Sequence, residues 1–138
     1  MKDVVIISDA SLCDESKVGG IGWKILVNGI VVDHSGRSIF HDCEHIGKLE
    51  LKALKEAVQA SRRFRRCGIW EKVRTAVITD NVEAYIELPV TNRMHKREIF
   101  TKYLLKAIPR RYSYVTSHHK DCDEIAHGMM LLAREQVK

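Results

Sequence analysis

Val4-Val5-Ile6-Ile7-Ser8-Asp9-Ala10-Ser11 is the stretch on which the fold turns. Four consecutive apolar residues are the pattern of a strand covered on both faces, as in the middle of a sheet. The run ends on a carboxylate. An ionised Asp at the end of a buried strand is costly unless a partner charge or a cation compensates it. What surrounds Asp9 therefore decides what the chain does.

Working outward, Gly19-Gly20-Ile21-Gly22 leads into Trp23 to Val27, and Asn28-Gly29 is a strong two-residue hairpin signal before a return strand from Ile30 to about Phe40. Three strands joined by short turns make an antiparallel meander. Lys48 to Arg66 carries the longest helical pattern, closed by Gly68. Val73 to Thr79 reads as a fourth strand ending at Asp80, and Val82 to Leu88 as a short helix stopped by Pro89. A longer helix is expected from His95 to Ile108, a fifth strand from Tyr112 to Ser117, and a last helix from Cys122 to Gln136. The expected fold is α/β: a five-stranded mixed sheet, an antiparallel meander plus parallel strands, flanked by helices.

The 138 residues suffice for a single domain, residues 1–138, with its own core. No apolar run approaches the ~20 residues that span a bilayer, and the start of the chain lacks a signal-peptide pattern. The expectation is a cytoplasmic protein with no membrane partner, monomeric, and with Cys13, Cys43, Cys67 and Cys122 as free thiols. His41-Asp42-Cys43-Glu44-His45 places two His and a Cys at alternate positions, but it lacks finger spacing and reads better as a polar strand end than as a zinc site. The net charge of +5 is compatible with a polyanionic partner. Arg62, Arg63, Arg65 and Arg66 cluster at one helix end, more arginines than a helix C-terminus needs, and are candidate nucleic-acid contacts.

Three further acids join Asp9. Asp80 ends a strand expected to run parallel to the first, so both carboxylates emerge on the same sheet edge. Glu50 shares its helix face with Leu51, Ala53, Leu54 and Ala57, whereas Lys52, Lys55, Glu56, Gln59, Arg63 and Arg66 lie opposite. A surface ion pair would not place it there. Asp123 opens the last helix, where an acid also suits the helix dipole. Four carboxylates converging at one edge would repel one another without a cation. Hard divalent ions take such oxygens, and a pair of them can activate water against a phosphodiester.

Asp9-Ala10-Ser11, Leu49-Glu50-Leu51-Lys52-Ala53-Leu54, Thr79-Asp80-Asn81 and Cys122-Asp123-Glu124-Ile125-Ala126, in this order and with Gly-Gly-x-Gly before the second strand, resemble the four signature blocks of type 1 ribonuclease H. The resemblance covers nearly the whole chain. It implies an endoribonuclease that cuts the RNA strand of RNA–DNA hybrids with two Mg²⁺ ions, Mn²⁺ being a possible substitute, and leaves 5′-phosphate ends. By carry-over Asp9 bridges both ions, Glu50 and Asp80 complete one shell and Asp123 the other. Val115-Thr116-Ser117-His118 matches the family's loop histidine, making His118 the catalytic candidate with His119 as its neighbour. Ser11 and Asn81 are candidate nucleic-acid contacts.

Two departures stand out. Ala10 replaces the family's usual glycine, and His45-Ile46-Gly47-Lys48 stands where an Asn-rich stretch is usual. In the family this chain resembles, the residues at those positions touch the 2′-hydroxyl that separates RNA from DNA. Two alternatives follow: a nuclease of the same fold with another nucleic-acid substrate, or an inactive nucleic-acid-binding module.

Overall fold

The structure is a computed structural model and describes residues 1–89 and 97–137. Strands β1 (Lys2–Cys13), β2 (Val18–Val27) and β3 (Ile30–Ile39) form the meander. Helix α1 (Ile46–Ala60), strand β4 (Val73–Thr79), helix α2 (Val82–Glu87), strand β5 (Glu98–Leu104) and helix α3 (Val115–Gln136) follow. The sheet order is β3-β2-β1-β4-β5. The β1–β2 and β2–β3 pairs are antiparallel, and β1–β4 and β4–β5 are parallel. Among the described residues this is the five-stranded mixed sheet that the sequence implies. The turn between β2 and β3 has Asn28 at φ 50° and Gly29 at φ 82°, the left-handed pair that the Asn-Gly signal calls for.

Alternation along β1 builds two cores. Val4 and Ile6 pack with Leu49, Ala53, Leu54 and Ala57 under α1, while Val5 and Ile7 pack with Ala76, Ile78, Val115 and Cys122 under α3. The Gly-rich start of β2 has a steric cause. A Cβ at Gly20 would run into the Ala126 carbonyl and the Met130 amide of α3, and one at Gly22 would stand 2.8 Å from the Cys122 carbonyl. The helix thus lies directly on the strand backbone.

Four expected elements need correction. Helix α1 ends at Ala60 rather than Arg66. The Ser61 hydroxyl donates to the Val58 carbonyl at 2.6 Å, and residues Arg62–Phe64 tighten into a 3₁₀ turn. The helix expected over 95–108 starts outside the described residues, and where the chain is described Glu98–Leu104 is instead strand β5. Glu98-Ile99-Phe100-Thr101-Lys102-Tyr103 is rich in β-branched and aromatic residues, and it pairs with β4 from Val73↔Glu98 to Thr79↔Leu104.

The fifth strand is therefore not Tyr112–Ser117. Tyr112 is buried in a 3₁₀ turn and donates its hydroxyl to Asp3 Oδ1 at 2.9 Å. Helix α3 starts at Val115, ahead of the expected Cys122. Its buried stripe of Val115, His119, Cys122, Ala126, Met130 and Ala133 keeps helical spacing throughout.

Candidate active site

The parallel pairing of β1 with β4 stops at Ile7↔Ile78. Beyond it β1 runs on beside β2, with Asp9 opposite Gly22, while β4 ends at Thr79. The two strands part just where their chains carry Asp9 and Asp80. This is the crevice at strand C-terminal ends where sheets of this kind take ligands.

Four elements feed the crevice. Asp9 comes from β1 and is 4% exposed; Glu50 comes from the buried face of α1 and is also 4% exposed. Asp80 follows β4 and is open to solvent. The turn after it is held by Thr79 Oγ1, which accepts from the Asn81 amide at 3.1 Å, and by Asn81 Oδ1, which caps α2 by accepting from the Ala84 amide at 3.0 Å. Helix α3 supplies His119 and, one turn later on the same face, Asp123. His119 Nε2 lies 3.7 Å from Asp80 Oδ2 and 4.0 Å from Asp9 Oδ1. Asp123 acts directly on both Asp9 and His119.

The electrostatics follow from burial. Desolvation pushes the Asp9 carboxyl up from 3.8 to about 7, and the Asp80 and Asp123 carboxyls add to the rise, while Glu50 and the Ala10 amide oppose it by hydrogen bonding. Burial, then the charge of Asp9, drives Glu50 up from 4.5 to about 10. Glu50 thus keeps its proton and offers it to Asp9. Burial lowers the His119 imidazole below its usual value against the pull of Asp80 and Asp123, so the ring is neutral at neutral pH.

The residues fit divalent cations. Glu50 Oε2 and His119 Nε2 are buried with no hydrogen-bond partner, and the Asp9 and Glu50 carboxyls are both pushed well above the usual carboxylate range. A cation would meet all of these demands at once. Asp9, Asp80 and His119 have ligand atoms all within 4.8 Å of one another, the one such group of three among the described residues. The 41–45 segment is not such a site: the chain turns through it, leaving His41 and His45 exposed while Cys43 is buried with its thiol 3.4 Å from the Ile39 carbonyl.

Asp9, Glu50, Asp80 and Asp123 are thus brought together, but other candidates are not. His118 sits on α3, not on a loop, and points away from the carboxylates. Its Nδ1 is 3.3 Å from Lys24 Nζ, which in turn donates to Asp121 Oδ2 at 2.5 Å, fastening the start of α3 to β2. The histidine in the crevice is His119. A helical reading begun at Val115 would have found it, because Val115, His119, Cys122 and Ala126 are spaced 4, 3 and 4 apart.

The arginines lie at the far end of the sheet. Lys2, at the start of β1, donates to the Phe64 and Arg66 carbonyls at 3.1 and 2.9 Å. From Lys2 to Asp9 the strand rises about 23 Å at roughly 3.3 Å per residue. Arg65 is built into the fold, pairing with Glu98 at 2.6 Å and donating to Ser61 Oγ at 2.8 Å. Arg63 lies over the Phe64 ring at 4.6 Å, and Arg62 and Arg66 are exposed. Nearer the crevice, Ser11 lines a shallow depression with Ala10, Glu44, His45 and Ile46. Lys48 and Lys52 line a groove between α1 and the end of β3. Of the basic stretch 91–97, residues 91–96 lie outside the described residues, and Arg97 donates to the Gly68 carbonyl at 3.1 Å.

No protein-family model matches the chain, and no curated protein sequence does. Solved structures do match it by shape. The N-terminal RNase H domain of rv2228c from Mycobacterium tuberculosis superposes with a TM-score of 0.67 at 15% identity, covering 100% of both chains. LC11-RNase H1, isolated from compost and solved in complex with an RNA/DNA hybrid, superposes with a TM-score of 0.60 at 15% identity, over 94% of this chain and 98% of its own. RNase H1 from the halophilic archaeon Halobacterium salinarum gives 0.56 at 15% identity, over 92% and 96%. At that identity the likeness rests on backbone architecture, and it extends over nearly the full length of each chain. The chain has the fold of the type 1 ribonuclease H domains.

Proposed function

We propose that this protein is a metal-dependent endonuclease that hydrolyses the RNA strand of RNA–DNA hybrids, leaving 5′-phosphate ends. The observation that carries the reading is the convergence of Asp9, Glu50, Asp80 and Asp123 in one crevice where burial raises the Asp9 and Glu50 carboxyls above their ordinary range. Asp9 and Glu50, with Asp80, would hold one divalent ion, and Asp9 with Asp123 a second. Such a pair supplies Lewis acidity on both sides of a phosphodiester, towards the attacking water and the leaving oxygen. Asp9, on the central strand, would anchor the ions, and Glu50 would bind one of them as a carboxylate, having lost its proton. Ser11, His45 and Ile46 share a depression with Ala10, next to Asp9, and would meet a sugar edge, while Lys48 and Lys52 in the neighbouring groove would meet phosphates. One structurally similar protein, LC11-RNase H1, was solved with an RNA/DNA hybrid, which supports the choice of substrate class.

A second reading is a nuclease with a different nucleic-acid substrate. It is favoured by Ala10 and by the 45–48 segment, which lacks asparagine, and by Asn81, whose carbonyl oxygen is committed to the α2 cap. Incubating the protein with labelled RNA–DNA hybrid, duplex RNA, duplex DNA and single strands, with Mg²⁺ or Mn²⁺, separates the readings. Cleavage confined to the RNA strand of the hybrid supports the first, and cleavage of another substrate the second. Binding without cleavage under every condition would leave an inactive binding module.

A further inference from the structure

His119 is the side chain in the crevice that carboxylate chemistry does not absorb. It is 8% exposed, and its Nε2 is buried with no hydrogen-bond partner. Its neighbours at 3.7 and 4.0 Å, Asp80 Oδ2 and Asp9 Oδ1, are beyond hydrogen-bond reach of that nitrogen. A charged imidazolium would close on one of them at about 2.8 Å. A proton carrier needs access to solvent, and Nε2 is buried.

The spacing suits atoms that share an ion. With ligand bonds of about 2.1 Å, two ligands on an octahedral ion lie about 3 Å apart when adjacent and about 4.2 Å apart when opposite. Both measured separations fall in that interval. The ring is delivered by the second turn of α3, which the Lys24–Asp121 contact fastens to β2 and the buried stripe packs onto the sheet.

We propose that His119 is a direct ligand, through Nε2, of the ion held by Asp9 and Asp80, making that site a mixed nitrogen–oxygen site that favours Mn²⁺ over Mg²⁺. The proposal rests on the metal-dependent reading above and specifies its cation. An imidazole nitrogen gains more from a first-row transition ion than from Mg²⁺, which prefers oxygen ligands and retained water.

The test is pulsed EPR of Mn²⁺ bound to the full chain, reading the hyperfine coupling of a directly bound nitrogen, with Mn²⁺ and Mg²⁺ dissociation constants from calorimetry. Wild type should show imidazole ¹⁴N coupling that converts to a ¹⁵N pattern when the protein is made with ¹⁵N-histidine. His118→Ala should retain it. His119→Gln should lose it, with Mn²⁺ affinity falling about 10–100-fold and Mg²⁺ affinity much less. The isotope arm needs no substitution, so a poorly folded variant does not blunt the test. Mn²⁺ that binds wild type without nitrogen coupling, or coupling that survives in folded His119→Gln, overturns the proposal while leaving a carboxylate-only metal centre standing. Failure of wild type to bind either ion, with Asp9→Asn behaving identically, overturns the metal-dependent reading itself and this proposal with it.

Discussion

Asp9 and Glu50 approach each other from opposite walls of the crevice, one on the central strand and one on the helix above it, and in metal-free protein Glu50 offers its proton to Asp9. Neither carboxyl is free to ionise as it would in water. Burial is the largest cause for both; the closeness of Asp9 raises Glu50 further, whereas the hydrogen bond from Glu50 pulls Asp9 back down.

This pair makes metal-free stability depend on pH with a definite sign. Both carboxyls are raised in the folded protein, Asp9 to about 7 and Glu50 to about 10, so the folded state binds more protons than the unfolded one above the ordinary carboxyl range. Their contribution is fully present below about pH 4 and is lost as pH rises, first through about 7 and then towards 10. Scanning calorimetry in chelator should give a melting temperature that falls between about pH 5 and 8. Mg²⁺ or Mn²⁺ should restore more stability at the upper end than at the lower, because a cation there meets carboxylates already without protons. A chelated protein whose melting temperature rises over this range would contradict the arrangement.

Asp9→Asn should abolish cleavage while raising the metal-free melting temperature near neutral pH. Asn keeps the shape and removes a buried charge that Asp80 and Asp123 crowd. Cleavage above roughly a tenth of wild type would argue against a bridging role for this carboxylate.

The two neighbouring histidines should behave differently in turnover. His118→Ala removes an interaction with Lys24 outside the crevice and should leave cleavage within about threefold of wild type, whereas His119→Ala should lower it about 10–100-fold. Single-turnover rates on a labelled hybrid decide between them, and equal losses would mean that α3 as a whole has shifted.

Hybrid binding should weaken steeply with salt, through residues at the crevice end of the sheet. Replacing Lys48 and Lys52 with Ala should reduce the slope of log K against log salt by about 0.9 for each phosphate left without its lysine. Replacing Arg62, Arg63 and Arg66, about 23 Å along the sheet from Asp9, should leave that slope unchanged. Fluorescence anisotropy at several salt concentrations measures both, and a slope that responds only to the arginines would mean that the duplex lies across the other end.

Gly20→Ala should destabilise the protein by about 3 kcal/mol or more, since the added methyl meets helix backbone that cannot rotate aside. Chemical denaturation reads the loss. A change under about 0.5 kcal/mol would mean that α3 does not rest on β2 as closely as described.

Much of this protein is legible along the chain. The apolar run before Asp9, the Asn28-Gly29 turn and the strand ending at Asp80 each depend on a local pattern, and the structure follows all three. Glu50 could be turned inward by helical arithmetic alone, because Leu51, Ala53, Leu54 and Ala57 share its face, and the structure buries Ala53, Leu54 and Ala57 with it. The segment from Glu98 to Ser117 could not be read this way. Short apolar and aromatic stretches fit a period of 2 nearly as well as one of 3.6, and only the open edge of β4 makes 98–104 a strand. The first turns of α3, from Val115, pack Val115 and Cys122 against Val5, Ile7, Ala76 and Ile78, contacts that no local pattern displays. That packing turns His119 rather than His118 into the crevice, for neighbours in a helix point about 100° apart and the packed face admits one of them.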